Sequence, residues 1–141
     1  MKIVKTRHPS FPNVKFDELL KIKLRKRWQV LCGDKEHYRV GIYSPEYTHR
    51  EEIKILEKHD CPELFMLIDG EMSLLIIDDK GKEKVVKLKP LRPIFVKSWH
   101  NGFCPNGKYG GVSIVVERDE FTTYYKSINE LKINPKGVGN V

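Results

Sequence analysis

Alanine is absent from this 141-residue chain and glutamine occurs once, as Gln29. Long apolar runs are missing too. The longest, Leu64 to Ile68, falls far short of the roughly 20 residues a membrane-crossing helix requires. Cysteine is scarce: Cys32, Cys61 and Cys104 are odd in number and contain no CxxC pair, which argues against a disulfide framework and for reduced thiols. Residues Met1 to Arg7 lack the apolar core of a signal peptide, so the expected location is the cytoplasm. There is no glycine-rich phosphate loop, no Gly-x-Ser-x-Gly elbow and no defensible Ser-His-Asp order, which removes the common nucleotide-binding and serine-hydrolase readings. Internal repeats and low-complexity blocks are also absent.

Charge is plentiful. Twenty-six Lys and Arg against 19 Asp and Glu give a formal charge of +7. Net charge bears on solubility and on association with anions rather than on a particular ligand. Abundant Lys and Glu with little Gln is a bias in the direction of heat-adapted proteins, so part of the lysine excess reflects habitat.

Short β-rich runs separated by turns dominate from Arg27 onward. Trp28–Cys32, a turn at Gly33-Asp34-Lys35 and Tyr38–Tyr43 read as a hairpin. Asp69-Gly70 between the apolar runs 64–68 and 72–77 predicts a tight hairpin turn. A second turn at 78–82 leads to 84–88, the run 91–96 delivers Trp99-His100, and Gly111–Glu117 reads as a closing strand after a loop from Asn101 to Gly107. This rhythm predicts an all-β sandwich or barrel spanning 28–118. Residues 1–27 form an arm, with a helical turn expected over Phe16–Lys21. Residues 119–141 form a C-terminal extension in which 134–139 are expected to be loose.

One constellation carries chemistry. Alternation along Ile53 to His59 puts Ile53, Ile55, Glu57 and His59 on one strand face. Glu63 follows the Pro62 bend, and His100 ends a neighbouring strand. Two imidazoles and two carboxylates on adjacent strands could hold one divalent metal. Burying two carboxylates on one inner face without a cation would be costly. His59, Glu63 and His100 form the facial two-imidazole, one-carboxylate set that suits Fe, and with small changes Mn, Zn or Ni, with positions left for water and substrate. Glu57 is a fourth ligand or a catalytic base beside the metal.

The order His59, three residues, Glu63, six residues, Gly70 resembles the first motif of the cupin superfamily. Glu57 stands where that family usually has its first His. Pro90 to His100 resembles the second motif in outline, with Lys97-Ser98 where the family usually has Pro and Gly and Cys104 where it often has Asn. The resemblance implies a double-stranded β-helix, or jelly-roll barrel, with a metal on His and Glu side chains. It also implies homodimerisation, which is common in that family.

Blander readings compete. Glu57 and His59 could sit on an exposed strand edge paired with Lys54 or Lys58, and His100 could be a loop imidazole bonded to backbone. Cys61 and Cys104 could join the histidines in a closed zinc site, or form a redox pair. His49 is a candidate substrate contact at the barrel mouth, and Tyr38, Tyr43, Phe65 and Cys104 are candidates for the pocket wall. The basic run Lys21–Arg27 hints at nucleic acid, but no recognition helix or stacking pattern accompanies it. The readings carried forward are a metal-dependent enzyme acting on a polar small metabolite (isomerase, lyase or oxygenase type), a non-catalytic ligand-binding or metal-binding module and, last, a nucleic-acid-associated protein.

Overall fold

The computed structural model describes residues 1–133, so the segment expected to be loose, 134–139, lies outside the described residues. Eleven strands form two antiparallel sheets. They are β1 (Lys2–Thr6), β2 (Trp28–Asp34), β3 (Tyr38–Tyr43), β4 (Ile55–His59), β5 (Glu63–Gly70), β6 (Ser73–Ile77), β7 (Glu83–Lys87), β8 (Ile94–Val96), β9 (Trp99–Phe103), β10 (Gly111–Arg118) and β11 (Phe121–Ser127). One helix, α1 (Ile128–Ile133), and a 3-10 turn at Arg50–Glu52 complete the described structure. The six-stranded sheet runs β1-β11-β4-β9-β6-β7 and the five-stranded sheet β2-β3-β10-β5-β8. The all-β class is as the turn rhythm predicts, and the architecture is two facing sheets rather than a barrel closed by hydrogen bonds.

Several local expectations change. The Asp69-Gly70 turn is not a hairpin: β5 pairs with β10 and β8, whereas β6 pairs with β7 and β9 in the other sheet. Gly70 instead turns the corner between sheets, at a φ of 71°. A Cβ there would lie 1.9 Å from the Gly110 carbonyl oxygen, so only glycine fits. The loop expected from Asn101 begins later, because Asn101–Phe103 continue β9. Phe16–Lys21 is not helical; a single turn, closed by Glu18 N donating to Lys15 O, replaces it. The sheets also extend past the predicted 28–118 body, since β11 lies between β1 and β4 in the six-stranded sheet.

Between β1 and β2 the chain has no regular structure but is anchored at both ends. Asp119 accepts hydrogen bonds from the Ser10 amide (2.6 Å) and hydroxyl (2.7 Å) and from the Glu36 amide (3.0 Å). Further along, the Gln29 side-chain amide bonds the Lys23 backbone in both directions. Phe16, Leu19 and Leu24 project from this segment almost fully exposed.

Strand alternation builds two apolar clusters. Tyr43, Phe65, Leu67, Met72, Leu74, Val96 and Val115 pack together with partly buried Trp28, on inward positions of the facing sheets. Leu56, Leu75, Ile77, Trp99 and Phe103 have the opposite parity and pack with Leu131 and Ile128 of α1. The middle of the six-stranded sheet is therefore covered on both faces, which is why Leu74-Leu75-Ile76-Ile77 is a continuous apolar run rather than an alternating one. Among the described residues no helix is long and apolar enough to cross a membrane.

Candidate metal centre

On β4, Leu56 and Lys58 turn away from the strand face that carries Glu57 and His59. Glu57 is the register partner of His100 on β9, and His59 that of Thr123 on β11. Glu63 opens β5 in the facing sheet, buried on the inward side with Phe65 and Leu67. The sheets thus bring four side chains to one point. Ligand atoms of Glu57, His59, Glu63 and His100 all lie within 4.8 Å of one another, and this is the one group of His, Cys, Asp and Glu found to converge in this way among the described residues.

The contacts are unusual. Nε2 of His59 and Nε2 of His100 each lie 2.9 Å from the same Glu63 Oε1. Glu57 Oε1 lies 3.6 Å from His100 Nε2 and 3.9 Å from His59 Nε2. The ring nitrogens pointing away are already used: His100 Nδ1 faces the Ser98 carbonyl at 2.8 Å and His59 Nδ1 the Thr123 hydroxyl at 2.8 Å. The His100 Nδ1–H donates to that carbonyl, which in the neutral ring leaves the Nε2 lone pair aimed inward. Despite their closeness, His100 Nε2 and Glu63 Oε1 are fully buried without a hydrogen-bond partner. Orphaned buried polar atoms of this kind call for a missing partner.

A divalent cation fits. Two ligands at right angles on bonds of about 2.1 Å are about 3.0 Å apart, close to the 2.9 Å observed between each imidazole nitrogen and the carboxylate oxygen. An outward Nδ1 bonded to a carbonyl or hydroxyl is the usual way a metal-binding imidazole is oriented.

The electrostatics agree. Burial favours the neutral acid at Glu63, yet the His100 and His59 imidazoles outweigh it and hold its pKa well below the carboxylate range. Burial likewise opposes charge on the two rings, but Glu63 and then Glu57 raise both, His100 to about 9. Without a metal, protons hold this cluster together.

The four side chains line a cavity of about 240 Å³. Its walls are aromatic. The Phe121 ring lies 4.7 Å from the His59 ring and Phe65 lies 5.6 Å from His100, centroid to centroid. Val4 and Thr6 of β1, with Arg27, Tyr43 and Tyr125, also line it, as do Arg39 and Glu117. Burial raises the Tyr125 phenol, and the negative charge of Glu57, its register partner, raises it further.

Of the predicted wall residues, Tyr43 and Phe65 line the cavity and three do not. Tyr38 is 47% exposed at the solvent end of β3. His49 is exposed ahead of the 3-10 turn. Cys104 is buried in the apolar cluster, its Sγ 3.8 Å from the Gly111 carbonyl, because the chain leaves β9 just before it. Neither it nor Cys61 joins the converging group, so no closed His/Cys set forms among the described residues.

Glu117, Arg39 and Thr123 were not anticipated. Glu117 is buried on β10 with Oε1 3.8 Å from His59 Nε2, and it accepts a 2.6 Å hydrogen bond from Arg39, its register partner on β3. Burial and the nearby Glu63 carboxylate push Glu117 up to about 7, against the pull of Arg39. The signal was present as alternation: Ser113, Val115 and Glu117 share the inward face.

No protein-family model matches the chain, and no curated protein does. Solved structures do. Hydroxypropylphosphonic acid epoxidase from S. wedmorenis superimposes with a TM-score of 0.54 at 15% identity, covering 82% of this chain and 62% of that one. The Fe(II) form of HppE gives 0.51 at 13% identity, covering 86% and 64%. The Co(II) form with substrate gives 0.50 at 13%, covering 69% and 57%. The chain thus spans less than two thirds of these enzymes. Likeness at such identity concerns the fold, which is cupin-like.

Proposed function

We propose that this protein binds one divalent metal through His59, Glu63 and His100, with Glu57 as fourth ligand or base, and acts as an enzyme on a small polar metabolite. The observation that carries this reading is the pair of buried imidazole nitrogens 2.9 Å from one carboxylate oxygen, with His100 Nε2 and Glu63 Oε1 lacking hydrogen bonds. Fe, Mn, Zn and Ni all suit such a set. A cation held there supplies Lewis-acid polarisation of a substrate oxygen.

The chain supplies the rest. Phe65, Phe121 and Trp28 shield the cavity from water. Glu57, the most accessible of the four ligand residues, stands beside the Tyr125 hydroxyl, so this pair can take or return a substrate proton at Glu57 Oε1. A cavity near 240 Å³ limits the substrate to a compact molecule. Isomerase, lyase and oxygenase chemistry all fit that arrangement.

Metal analysis of protein purified without chelator or nickel resin tests the reading. Near-stoichiometric metal that is lost in Glu63→Ala and His100→Ala supports it; metal-free wild-type protein that also takes up none on titration overturns it. A second reading, a binding module without turnover, is favoured by one observation: two of the polar groups around the cavity are already paired, Arg27 with Glu46 and Asn101 and the Tyr43 hydroxyl with Asn101. Metal-loaded protein that binds but never converts candidate metabolites would select it. Homodimerisation belongs to the same proposal. The anchored yet exposed Phe16, Leu19 and Leu24 offer an apolar surface for a second copy, and light scattering of wild-type protein against Phe16→Ser/Leu19→Ser decides it.

A further inference from the structure

Three carboxylates surround His59 Nε2, and only one of them has a cation of its own. Glu63 approaches to 2.9 Å, Glu117 to 3.8 Å and Glu57 to 3.9 Å. By distance from His59, Glu117 is as good a candidate ligand as Glu57, yet it is not in the converging group. Arg39 accounts for the difference. Its Nε donates to Glu117 Oε2 at 2.6 Å, and its Nη1 donates to the Ser10 carbonyl at 3.2 Å. Its guanidinium also lies over two rings, 4.7 Å from the Phe121 centroid and 5.4 Å from that of Trp28. Held by a carbonyl, two aromatic faces and a carboxylate, with side-chain exposure of 10% for Arg39 and 1% for Glu117, the pair cannot shift as a unit toward the imidazoles.

We infer that Arg39 is a metal-selectivity determinant: it withholds Glu117 from the cation and fixes the ligand set at two imidazoles and two carboxylates. The charges close on that assignment. Arg39 offsets Glu117, which leaves Glu57 and Glu63 to balance a divalent ion. With Glu117 released, the site would carry three carboxylates and suit harder cations that prefer oxygen. This inference rests on the proposed metal site and concerns Arg39 and Glu117, neither of which is assigned there as a ligand.

Co(II) titration of metal-free protein, followed by visible absorption, tests it. Arg39→Gln frees Glu117, so affinity rises about tenfold and the cobalt bands shift; Arg39→Gln/Glu117→Gln returns the wild-type bands. Glu117→Gln alone leaves the Arg39 charge uncompensated, so affinity falls about tenfold while the bands keep their wild-type positions. Opposite signs for the two members of one pair are the signature, since a purely structural brace would weaken binding from either side. Unshifted bands in Arg39→Gln, or shifted bands in Glu117→Gln, overturn the inference and leave the metal site standing. Should Arg39→Gln fail to fold, Arg39→Met, which keeps the apolar packing but not the charge, replaces it with the same expected rise in affinity and band shift. Wild-type protein that takes up no Co(II) overturns both the inference and the site.

Discussion

Strands β4 and β9 carry two faces of opposite character. Outward, Leu56, Trp99 and Phe103 pack with Leu75, Ile77 and α1 in an apolar cluster. Inward, one residue along on the same strands, Glu57, His59 and His100 meet Glu63 in a cluster of charge. Two of the three orphaned buried side-chain atoms among the described residues, Glu63 Oε1 and His100 Nε2, lie on the inward side; the third, Trp99 Nε1, lies outward. One face is built to hold the sheet together, the other holds groups that would be cheaper to leave in water. A protein keeps such a face for what it binds.

Breaking each side should give different losses. Trp99→Ala empties the fully buried heart of the outward cluster, with an expected cost of about 3–5 kcal/mol, measured by denaturant unfolding of metal-free protein. On the inward side, Glu63→Gln should cost the metal-free protein much less above about pH 9, where the imidazoles are neutral, while lowering metal affinity by more than about 100-fold by calorimetric titration. Similar stability losses for both would mean that the inward cluster is structural.

Acidity sharpens the contrast further. The carboxylates raise the His59 and His100 pKa values in the folded, metal-free protein, His100 to about 9. Their contribution to stability is therefore complete below the ordinary imidazole pKa of about 6.5 and is lost as pH rises through about 9. Metal binding runs the other way, since the cation must displace those protons. Thermal melts with and without metal between pH 6 and 10 should diverge, with the metal-induced gain growing as pH rises.

The smallest expected effect belongs to the anchor of the arm. Asp119 accepts three hydrogen bonds at Ser10 and Glu36; burial favours its neutral form, but those bonds together outweigh it and hold its pKa below the ordinary value. Asp119→Asn should cost about 1–2 kcal/mol near neutral pH. The difference should shrink as pH falls through the depressed pKa, because the wild-type contribution is itself lost there.

Much of the site was legible because a strand's period of two is strict. Glu57 and His59 had to share a face, and the Pro62 bend returned Glu63 toward it. Glu117 obeyed the same rule, but a Glu at the end of an apolar strand also reads as solvent-facing, and its partner Arg39 lies 78 residues away. The Asp69-Gly70 signal specified a left-handed corner, which serves a hairpin and a sheet crossing alike. Phe121–Ser127 was missed as a strand although its Phe, Thr and Tyr residues favour one, because inward Thr123 and outward Lys126, both buried, make its pattern look polar.

β1 pairs along its whole length with β11. β1 is synthesised well before β11, so Val4 and Thr6 wall the cavity only once that partner has arrived. Contacts between segments so distant in sequence form slowly relative to local ones. During synthesis the cavity should thus stay open on that side until residue 127 has emerged, giving an ion a wider way in than the finished molecule offers.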